Sequence, residues 1–465
     1  MTPPTKSDQP PAGTAAKLEA GREVRNLVPI ESHAHWEAPS DRPDPVAILE
    51  KQAAEREQDL VPIRYGRMLE SAFTFYRGGA AIMAWDLSKT PTTDLRVQAC
   101  GDAHLLNFGT FAAPDRRLVF DLNDFDETLP ASFEWDLKRL TASVAIGALD
   151  NGFSKSEAGS CVRRAVSTYS TVIAENSQMR FLDAWYARLD IDEVRKLVES
   201  SGDPKRMKTL DKTVSKAMSR DNVGALSRFA DSTPLGYRIK EEAPVIMRIP
   251  VDQYPESAKW INQAFEDYVA SMQPDRQMLI RRYKYCDFAR KVVGVGSVGT
   301  AAFMLLLMGD RFDDPLFIQL KQAQESVLAP YAGASEFANH GQRVVEGQRI
   351  MQAASDSFLG WLQGIGPKKR HFYARQLRDM KGSANIAKMG PEQLEGYAGL
   401  CGRSLAHAHA RSGDAARLSG YIGKGNKLGK ALEKFSLAYA EQNALDYAKL
   451  LEAEASGRVQ VERGV

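Results

Sequence analysis

The order of apolar and polar residues along this chain predicts two strand-rich stretches, each followed by helices. Short apolar runs between turn residues predict strands at 96–99, 118–122, 291–295, 301–308, 316–321 and 372–377. Apolar residues that recur every three or four positions predict helices at 45–59, 132–186, 261–271, 344–354, 391–410 and 428–454. Because the strands and helices are segregated rather than alternating, the pattern predicts an α+β fold.

The first 44 residues are expected to form a flexible arm. They are rich in proline, and the helical spacing of apolar residues begins only after them. Proline blocks the hydrogen bonds of both helices and sheets. The prolines that support this prediction are Pro3, Pro4, Pro10, Pro11, Pro39 and Pro43. At 465 residues the chain is too long for one ordinary core, so two or three packed units are expected.

A first group of chemically capable residues follows two of the predicted strands. Gly-Asp-Ala-His-Leu-Leu-Asn at 101–107 comes directly after one strand, and Asn-Asp-Phe-Asp-Glu at 123–127 ends the next. This pattern suits metal-dependent phosphoryl transfer. Asp102 would orient an attacking hydroxyl or accept its proton, while Asn107 and a later Asp would hold Mg²⁺ against nucleotide phosphates. The purely structural interpretation is that these Asp and Asn residues cap turns.

A second group begins with Gly294, Gly296, Ser297 and Gly299, which fit the pattern G-x-G-x-x-G. In a dinucleotide-binding fold, an acidic residue about 20 positions later would bind the ribose. In a nucleotide-binding hairpin, the glycines would cover phosphates and a Lys would stand on the third strand. A simple tight turn is the third interpretation.

Residues downstream of the glycines favour the hairpin. Lys321 stands at the end of an apolar strand, at the place where the dinucleotide fold requires its acid. The following helix offers Glu346 to pair with the Lys321 ammonium, and Glu325 and Glu336 are alternatives. The second group is therefore predicted to bind the phosphates of a nucleotide.

Composition excludes several classes of protein. The chain has 61 Lys and Arg against 59 Asp and Glu, a net charge of +2, which argues against a nucleic-acid or anionic-membrane partner. The longest apolar run, 301–308, is far shorter than the roughly 20 residues that cross a bilayer. The N-terminus has no apolar signal core, and the four cysteines form no C-x-x-C pair. A cytoplasmic location is therefore expected.

The first group resembles a known superfamily. GDAHLLN is similar to the G-D-x-H-x-x-N catalytic loop of aminoglycoside and choline-type phosphotransferases and, more distantly, of protein kinases; NDFDE resembles their following metal motif. The resemblance implies a kinase-like, two-lobed fold that uses ATP and Mg²⁺. It implies that Asp102 is the catalytic residue, Asn107 a metal ligand and Asp124 the main metal ligand, with Asp121 as the alternative. Cys100 stands where the family loop often begins with His.

The two groups occur in inverted order, because the Gly-rich loop and the Lys precede the catalytic Asp in that superfamily. A circular permutation would explain the order, and permutation is tolerated where chain termini lie close together at a surface. In agreement, the predicted helix at 394–410 resembles the helix that normally leads into the catalytic loop, but it lies near the C-terminus.

From about residue 42 onward the chain also resembles an uncharacterised bacterial family, known only as a domain of unknown function and placed near the kinase-like superfamily. Segments that carry this resemblance include CGDAHLLNFG, FDLNDFDET and VGVGSVGT. The expected organisation has four parts. They are a flexible arm at 1–44, a connector and helix-rich catalytic lobe at 45–286, a small nucleotide-binding lobe with an antiparallel sheet at 287–385, and C-terminal helices that complete the catalytic lobe at 386–465.

The sequence therefore predicts an ATP- and Mg²⁺-dependent, kinase-like phosphotransferase that acts on a hydroxyl of an unidentified small molecule or protein. A pseudokinase that binds a nucleotide and has a regulatory or scaffold role is one alternative. A kinase-like enzyme that transfers AMP is another, and an NADP-dependent reductase is a third.

Two further sets of residues invite a functional interpretation. A metal hydrolase would need His33, His35, His407 and His409, but the spacing of two directs His407 and His409 away from each other on a helix. Arg64, Arg67 and Arg77 are either surface and ion-pair residues or ligands for a phosphate or another acidic group.

Overall fold

The computed structural model describes residues 13–199, 202, 204–220, 222–234, 236–249, 255–292, 294–364, 369–377 and 380–464. Its helices are α1 Thr14–Leu27, α2 Pro45–Ala54, α3 Val61–Met68, α4 Ala72–Gly78, α5 Ala80–Ser88, α6 Phe133–Asp150, α7 Lys155–Gln178, α8 Phe181–Tyr186, α9 Ile191–Glu199, α10 Pro204–Met218, α11 Asn222–Phe229, α12 Pro255–Ala270, α13 Pro274–Ile280, α14 Ala329–Ala332, α15 His340–Met351, α16 Pro391–Ser412, α17 Ala415–Ile422 and α18 Asn426–Ala455.

Its strands are β1 Arg96–Ala99, β2 Phe108–Ala112, β3 Leu118–Leu122, β4 Leu129–Ser132, β5 Ala230–Thr233, β6 Gly236–Ile239, β7 Ile246–Arg248, β8 Lys284–Lys291, β9 Ala302–Met308, β10 Pro315–Ala323, β11 Gly360–Gln363, β12 His371–Gln376 and β13 Gly382–Ser383. Every strand pairing among the described residues is antiparallel. The predicted α+β class with antiparallel sheets is therefore confirmed.

One predicted strand is wrong. The run 291–295 was expected to be extended, but β8 ends at Lys291 and Val295–Ser297 forms a single 3₁₀ turn. The side chains of Val292 and Val295 are nevertheless buried, in small apolar clusters with residues of the N-terminal helices. Their burial, rather than an extended backbone, accounts for the apolar character of this run.

Part of the predicted arm is helical, because α1 is a helix of 14 residues, whereas positions 1–12 of the arm lie outside the described residues. Helix α1 packs against α17 so closely that a Cβ at Gly21 would lie 2.0 Å from the carbonyl oxygen of Arg417. Arg25 donates hydrogen bonds of 2.6 and 2.7 Å to the carbonyl oxygens of Tyr421 and Gly420 at the end of that helix. This packing stabilises the helix, whose Ala, Leu, Lys, Glu and Arg residues also favour helix formation.

The main core surrounds α6, which is buried over nearly its whole length. Helices α7 and α18 pack along it, and α16 packs along α7. A helix that is enclosed in this way usually lacks charged residues. Four charged residues are nevertheless buried in α6: Glu134, Asp136, Lys138 and Arg139. Asp136 and Arg139 connect the core to the loop described below, whereas Glu134 and Lys138 bond to Thr93 and Thr90 before β1. None of the described helices combines the length and apolar character that a membrane crossing requires.

The larger sheet has six strands in the order β11-β12-β10-β9-β8-β7. The glycine-rich segment connects β8 to β9, which pair as antiparallel neighbours. Lys321 lies on the third strand of this series, β10, and α15 follows. The glycines thus lie at one end of a hairpin, as the phosphate-binding interpretation predicted.

The two polar loops of the first group lie at the same end of their strands. Ala99 at the end of β1 pairs with Leu129 at the start of β4. Phe108 at the start of β2 pairs with Leu122 at the end of β3. Because these pairings bring the ends of the two loops together, residues 100–107 and 123–128 are neighbours.

A buried ion-pair network joins the residues before α2 to α5 and α18. The guanidinium of Arg42 donates to both carboxylate oxygens of Asp86, at 2.7 and 2.8 Å, and of Asp446, at 2.7 and 2.6 Å. The hydroxyl of Tyr439 donates to Asp86 at 2.8 Å. All three charged side chains are nearly inaccessible to solvent.

We expect Arg42→Met to destabilise the protein strongly, because it leaves two buried carboxylates without their cation. Loss of one partner of a buried pair typically lowers the free energy of unfolding by about 3 to 5 kcal/mol. Urea unfolding would measure this. The control is Arg22→Met, which removes an exposed pair with Glu19 and should cost at most about 1 kcal/mol. Equal effects of the two variants would contradict the structural role of Arg42.

Candidate active site

A cavity of about 350 Å³ brings the two groups of predicted residues together. The first group contributes Asp102, Asn107 and Asp124 to its walls, and the second contributes Gly294, Gly296, Ser297 and Lys321. The cavity lies between the loops that follow β1 and β3 and the β8–β9 hairpin with its neighbour β10.

Lys321 is the centre of a buried charge cluster in this cavity. Its ammonium forms an ion pair and hydrogen bond with Asp126, 195 residues earlier, and lies 3.7 Å from Asp124 Oδ2. Burial disfavours the charged ammonium, but the carboxylates of Asp124 and Asp126 outweigh burial and raise the pKa of Lys321. Asp126 also accepts hydrogen bonds from the hydroxyl of Tyr373 at 2.8 Å and from that of Ser297 at 3.2 Å.

The two carboxylates of this cluster differ in their electrostatics. Burial and then the charge of Asp126 raise the pKa of Asp124. Burial opposes ionisation of Asp126 as well, but the charge and hydrogen bond of Lys321 lower the pKa of Asp126. Asp124 is therefore the carboxylate whose charge is less fully compensated by the protein, and a bound cation would compensate it.

The loop that carries Asp102 is held from beneath by α6. The carboxylate of Asp136 accepts hydrogen bonds from the backbone N–H groups of Cys100 at 2.6 Å and Gly101 at 2.9 Å. Its Oδ2 also lies 3.2 Å from Nε2 of His409 on α16. Arg139, one turn further along α6, donates to Asp102 Oδ1 at 2.8 Å. The orientation of Asp102 is thus determined by buried charged residues of the core.

Gly101 is required by the same loop. Its φ of +80° is in the region that favours glycine, and a Cβ there would lie 2.3 Å from the carbonyl oxygen of Glu127. The close contact joins the loop of Asp102 to the loop of Asp124 and Asp126. A side chain at position 101 would therefore separate the two halves of the first group.

Asn107 is oriented so that its side-chain oxygen is available. Its Nδ2 donates to the backbone carbonyl of Asp102 at 2.7 Å, which leaves Oδ1 as the atom without a hydrogen-bond partner among the described residues. Carboxylate and amide oxygens are the ligands that Mg²⁺ prefers, and Mg²⁺ commonly takes one or two protein ligands together with phosphates and waters. Asn107 and Asp124 fit such an ion. Among the described residues, no group of three or more His, Cys, Asp or Glu is arranged to hold a metal by itself. Phosphate oxygens and waters would therefore have to complete the ligands of the ion.

Three predicted residues lie outside the walls of the cavity. Asp121 is buried in β3, accepts a hydrogen bond from the N–H of Leu122 at 2.9 Å, and has a pKa that burial raises to about 6. Because Asp121 lies within β3 and does not line the cavity, whereas Asp124 does, Asp124 is the better candidate for the metal ligand. Gly299 lies beside Arg56 instead, and its carbonyl accepts a hydrogen bond from the N–H of Glu57 at 2.7 Å.

The third is Glu346, which does not pair with Lys321. It forms an ion pair of 2.9 Å with Arg349 on the same helix, and the alternatives Glu325 and Glu336 are exposed. The acids that pair with Lys321 are Asp124 and Asp126, because the loop after β3 lies closer to β10 than the acids of α15 do. Asp126 was missed, although its position within NDFDE was the signal that could have identified it.

The cavity also contains charged residues to which the sequence assigned no chemistry. Arg375 donates to the carbonyl of Asn123 at 2.8 Å. Burial, followed by the charge of Arg375, lowers the pKa of Lys381 to about 7. Burial raises the pKa of Glu127 to about 7. Arg378, which lies between Arg375 and Lys381 in the sequence, is outside the described residues.

The histidines do not form a joint site. His409 contacts Asp136 on one side and the hydroxyl of Tyr169 at 2.8 Å on the other. His407 lies 3.3 Å from the side-chain nitrogen of Asn176, and His33 lies 2.7 Å from the hydroxyl of Tyr421. Each of these three is therefore a separately hydrogen-bonded residue of the interior.

Comparison with known proteins gives one match. A family described as an uncharacterized protein conserved in bacteria (DUF2252) matches residues 56–453, most of the chain. No curated protein matches the sequence, and no solved structure matches it either.

We expect Asp136→Asn to loosen the loop of Asp102, because an amide cannot accept both backbone hydrogen bonds. The loss of charge-assisted bonds should lower the free energy of unfolding by about 2 to 4 kcal/mol. Faster hydrogen exchange at the amides of Cys100 and Gly101 would locate the effect. Asp150→Asn, at the exposed end of the same helix, is the control. Unchanged exchange in Asp136→Asn would show that Asp136 does not hold this loop.

Glu127 should make the stability of the protein depend on pH. Its pKa rises from 4.5 to about 7 on folding, so the folded state binds more protons across that interval and stability falls as pH rises through it. A Gln side chain at position 127 can still accept the hydrogen bond from the Val327 N–H. Because it does not ionise, the loss of folding stability with rising pH is removed. We therefore expect Glu127→Gln to gain thermal stability relative to wild type between pH 5 and 8. A pH-independent difference, as expected for the exposed control Glu336→Gln, would contradict this.

Proposed function

We infer the function from the cavity, because the chain belongs to the DUF2252 family of uncharacterized proteins conserved in bacteria. We propose that it is a kinase-like phosphotransferase, which moves a phosphoryl group from ATP, with Mg²⁺, to a hydroxyl of a small molecule or protein. The observation that carries this proposal is the cluster of Lys321 with Asp124 and Asp126 in the cavity that Asp102 and the Gly-rich segment also line.

The order of elements in the six-stranded sheet supports the proposal. A hairpin with the Gly-rich segment at its end, a third strand with a Lys, and a following helix are the parts that cover and bind nucleotide phosphates in a kinase. The catalytic loop comes from an earlier part of the chain, and α16 near the C-terminus packs against β1, which leads into that loop. A circularly permuted two-lobed kinase-like fold accounts for this order.

The glycines of the hairpin support a ligand that approaches the backbone closely. Gly294 has a φ of −56°, which any residue adopts, and a Cβ built on it would meet no atom within 4 Å. At Gly296 the nearest atom is 3.7 Å away. Neither strain nor crowding requires glycine at these two positions. A phosphate group lying against the backbone N–H groups would require it.

In the proposed reaction each residue has a separate role. The carboxylate of Asp102, oriented by Arg139, would orient the acceptor hydroxyl and accept its proton. The Lys321 ammonium and the backbone of the Gly-rich segment would bind phosphate oxygens. Asn107 and Asp124 would hold Mg²⁺, which neutralises phosphate charge when bound. Catalysis of this type consists mainly of positioning and electrostatic stabilisation, and the rigid contacts of Asp102 and Asn107 are suited to it.

Thermal unfolding with ATP and Mg²⁺ tests nucleotide binding. Ligand at about 100 times its dissociation constant should stabilise the wild type by about 2.7 kcal/mol. Asp124→Asn should reduce this stabilisation, because it removes a charge from the proposed metal site, and Lys321→Met should reduce it as well. The matched control is Asp121→Asn, three residues away in sequence but outside the cavity, which should retain it. No stabilisation of the wild type would refute the proposed function.

Labelled ATP then identifies the chemistry. We expect transfer of the γ-phosphate and a decrease of at least about 100-fold in Asp102→Asn, with nucleotide binding retained. Transfer of label from the α-phosphate would instead identify an AMP-transferring enzyme. Binding without transfer of either label would identify a pseudokinase.

A further inference from the structure

Three guanidinium groups line the cavity and are not used by the proposed reaction. Arg56 follows α2, Arg64 lies in α3 and Arg77 in α4, and all three line the cavity. Helices α3 and α4 contact the 3₁₀ turn of the Gly-rich segment. The N-terminal helices thus bring three positive charges to the edge of the hairpin.

These arginines have buried N–H groups without acceptors among the described residues. The buried atoms are Nε of Arg56, Nε and Nη1 of Arg64, and Nε of Arg77. Arg64 is fully buried, and only its Nη2 is satisfied, by Gln52 Oε1 at 3.0 Å and the carbonyl of Gly78 at 3.2 Å. Burial, together with the charge of Arg56, lowers the pKa of Arg64. A buried cation in this situation is costly unless an anion pairs with it.

The cavity is lined by more cationic side chains than carboxylates. Four carboxylates face it: Asp102, Asp124, Asp126 and Glu127. Seven cations face it: Arg56, Arg64, Arg77, Lys291, Lys321, Arg375 and Lys381. The four cations outside the trio match the four carboxylates in number. The cavity therefore has an excess of positive charge, and the trio contributes three of its seven cations.

Arg77 relates the trio to the acceptor. Lys321 and the Gly-rich backbone already face the proposed phosphates from the sheet. The carboxylate that acts most strongly on Arg77 is Asp102, the residue that an acceptor hydroxyl must reach. Guanidinium groups bind phosphate and carboxylate through paired hydrogen bonds.

We propose that Arg56, Arg64 and Arg77 bind an anionic group of the acceptor, so that the substrate is a hydroxyl compound that also carries a phosphate or a carboxylate. This assignment rests on the proposed function, because it takes Lys321 and the Gly-rich backbone, rather than the arginines, to bind the nucleotide phosphates.

Calorimetric titration of inorganic phosphate, and separately of acetate, into protein saturated with Mg²⁺ and a non-hydrolysable ATP analogue tests the proposal. We expect one of the two anions to bind the nucleotide-loaded wild type, and the anion that binds more tightly identifies the group.

Arg77→Gln should weaken that binding about 10-fold or more, since the lost bonds are charge-assisted. Arg77 makes no side-chain hydrogen bond to a described residue, so this variant should fold normally. Arg64→Met should have a larger effect. The matched control Arg67→Gln, on α3 but outside the cavity walls, should bind as wild type does.

Two results would overturn the proposal. One is anion binding to the nucleotide-free protein that disappears when the ATP analogue is bound, because the trio would then serve the phosphates of the nucleotide. The other is equal binding by wild type and Arg77→Gln. If the ATP analogue does not bind at all, the proposed function fails and the acceptor assignment fails with it. In that case phosphate binding by the free protein that Arg77→Gln weakens would still establish an anion site.

Discussion

The buried ammonium of Lys321 needs carboxylates, and the arrangement of the cavity follows from where they are found. A cation with so little solvent contact is stable only when it is paired. Its partners, Asp124 and Asp126, belong to a loop 195 residues earlier in the chain. Helix α15, which follows the sheet in the chain, also holds that loop, since its Arg343 donates to the carbonyls of Asp126 and Thr128 at 2.7 and 2.6 Å. The same interactions that stabilise the contact between sheet and loop therefore assemble the candidate active site.

Helix α6 imposes the second constraint, on the opposite side of the site. Asp136 and Arg139 are buried in the core, where an unpaired charge would be unstable, and each finds its partner in the loop of Asp102. Asp136 thereby holds the backbone of the loop, and Arg139 holds the carboxylate of Asp102. Pre-organisation of this kind lowers the cost of orienting a reactive group when a substrate binds. The buried charges of Asp136 and Arg139 are easier to understand as supports for the loop than as contributions to helix stability.

Much of the fold could be predicted from periodicity, because the elements concerned are long or sharply bounded. The strand Leu118–Leu122 and the helix α16 are examples. Helix α1 was missed because the prolines of the arm lie on both sides of residues 14–27, although the helix-forming residues of that segment could have identified it. In the site, residue types predicted that Lys321 and Asp124 serve the same reaction, and the structure places their side chains 3.7 Å apart. They could not predict that Lys321 pairs with an acid of the loop rather than with Glu346, because that choice depends on the tertiary distance.

The near-neutral charge of the whole chain hides a strongly uneven distribution. A net charge of +2 excludes a generally basic surface but says nothing about a cavity. In the candidate active-site cavity, carboxylates surround Lys321, while the guanidiniums of Arg56, Arg64 and Arg77 come from the N-terminal helices. A metal ion beside Asp124 and anions beside the arginines would each reduce the local charge. Because both kinds of ligand lie in one cavity, their binding should be mutually favourable: a cation at one side and an anion at the other attract each other through a medium less polar than water. Selectivity for a metal nucleotide together with an anionic acceptor would then arise from the charge pattern itself.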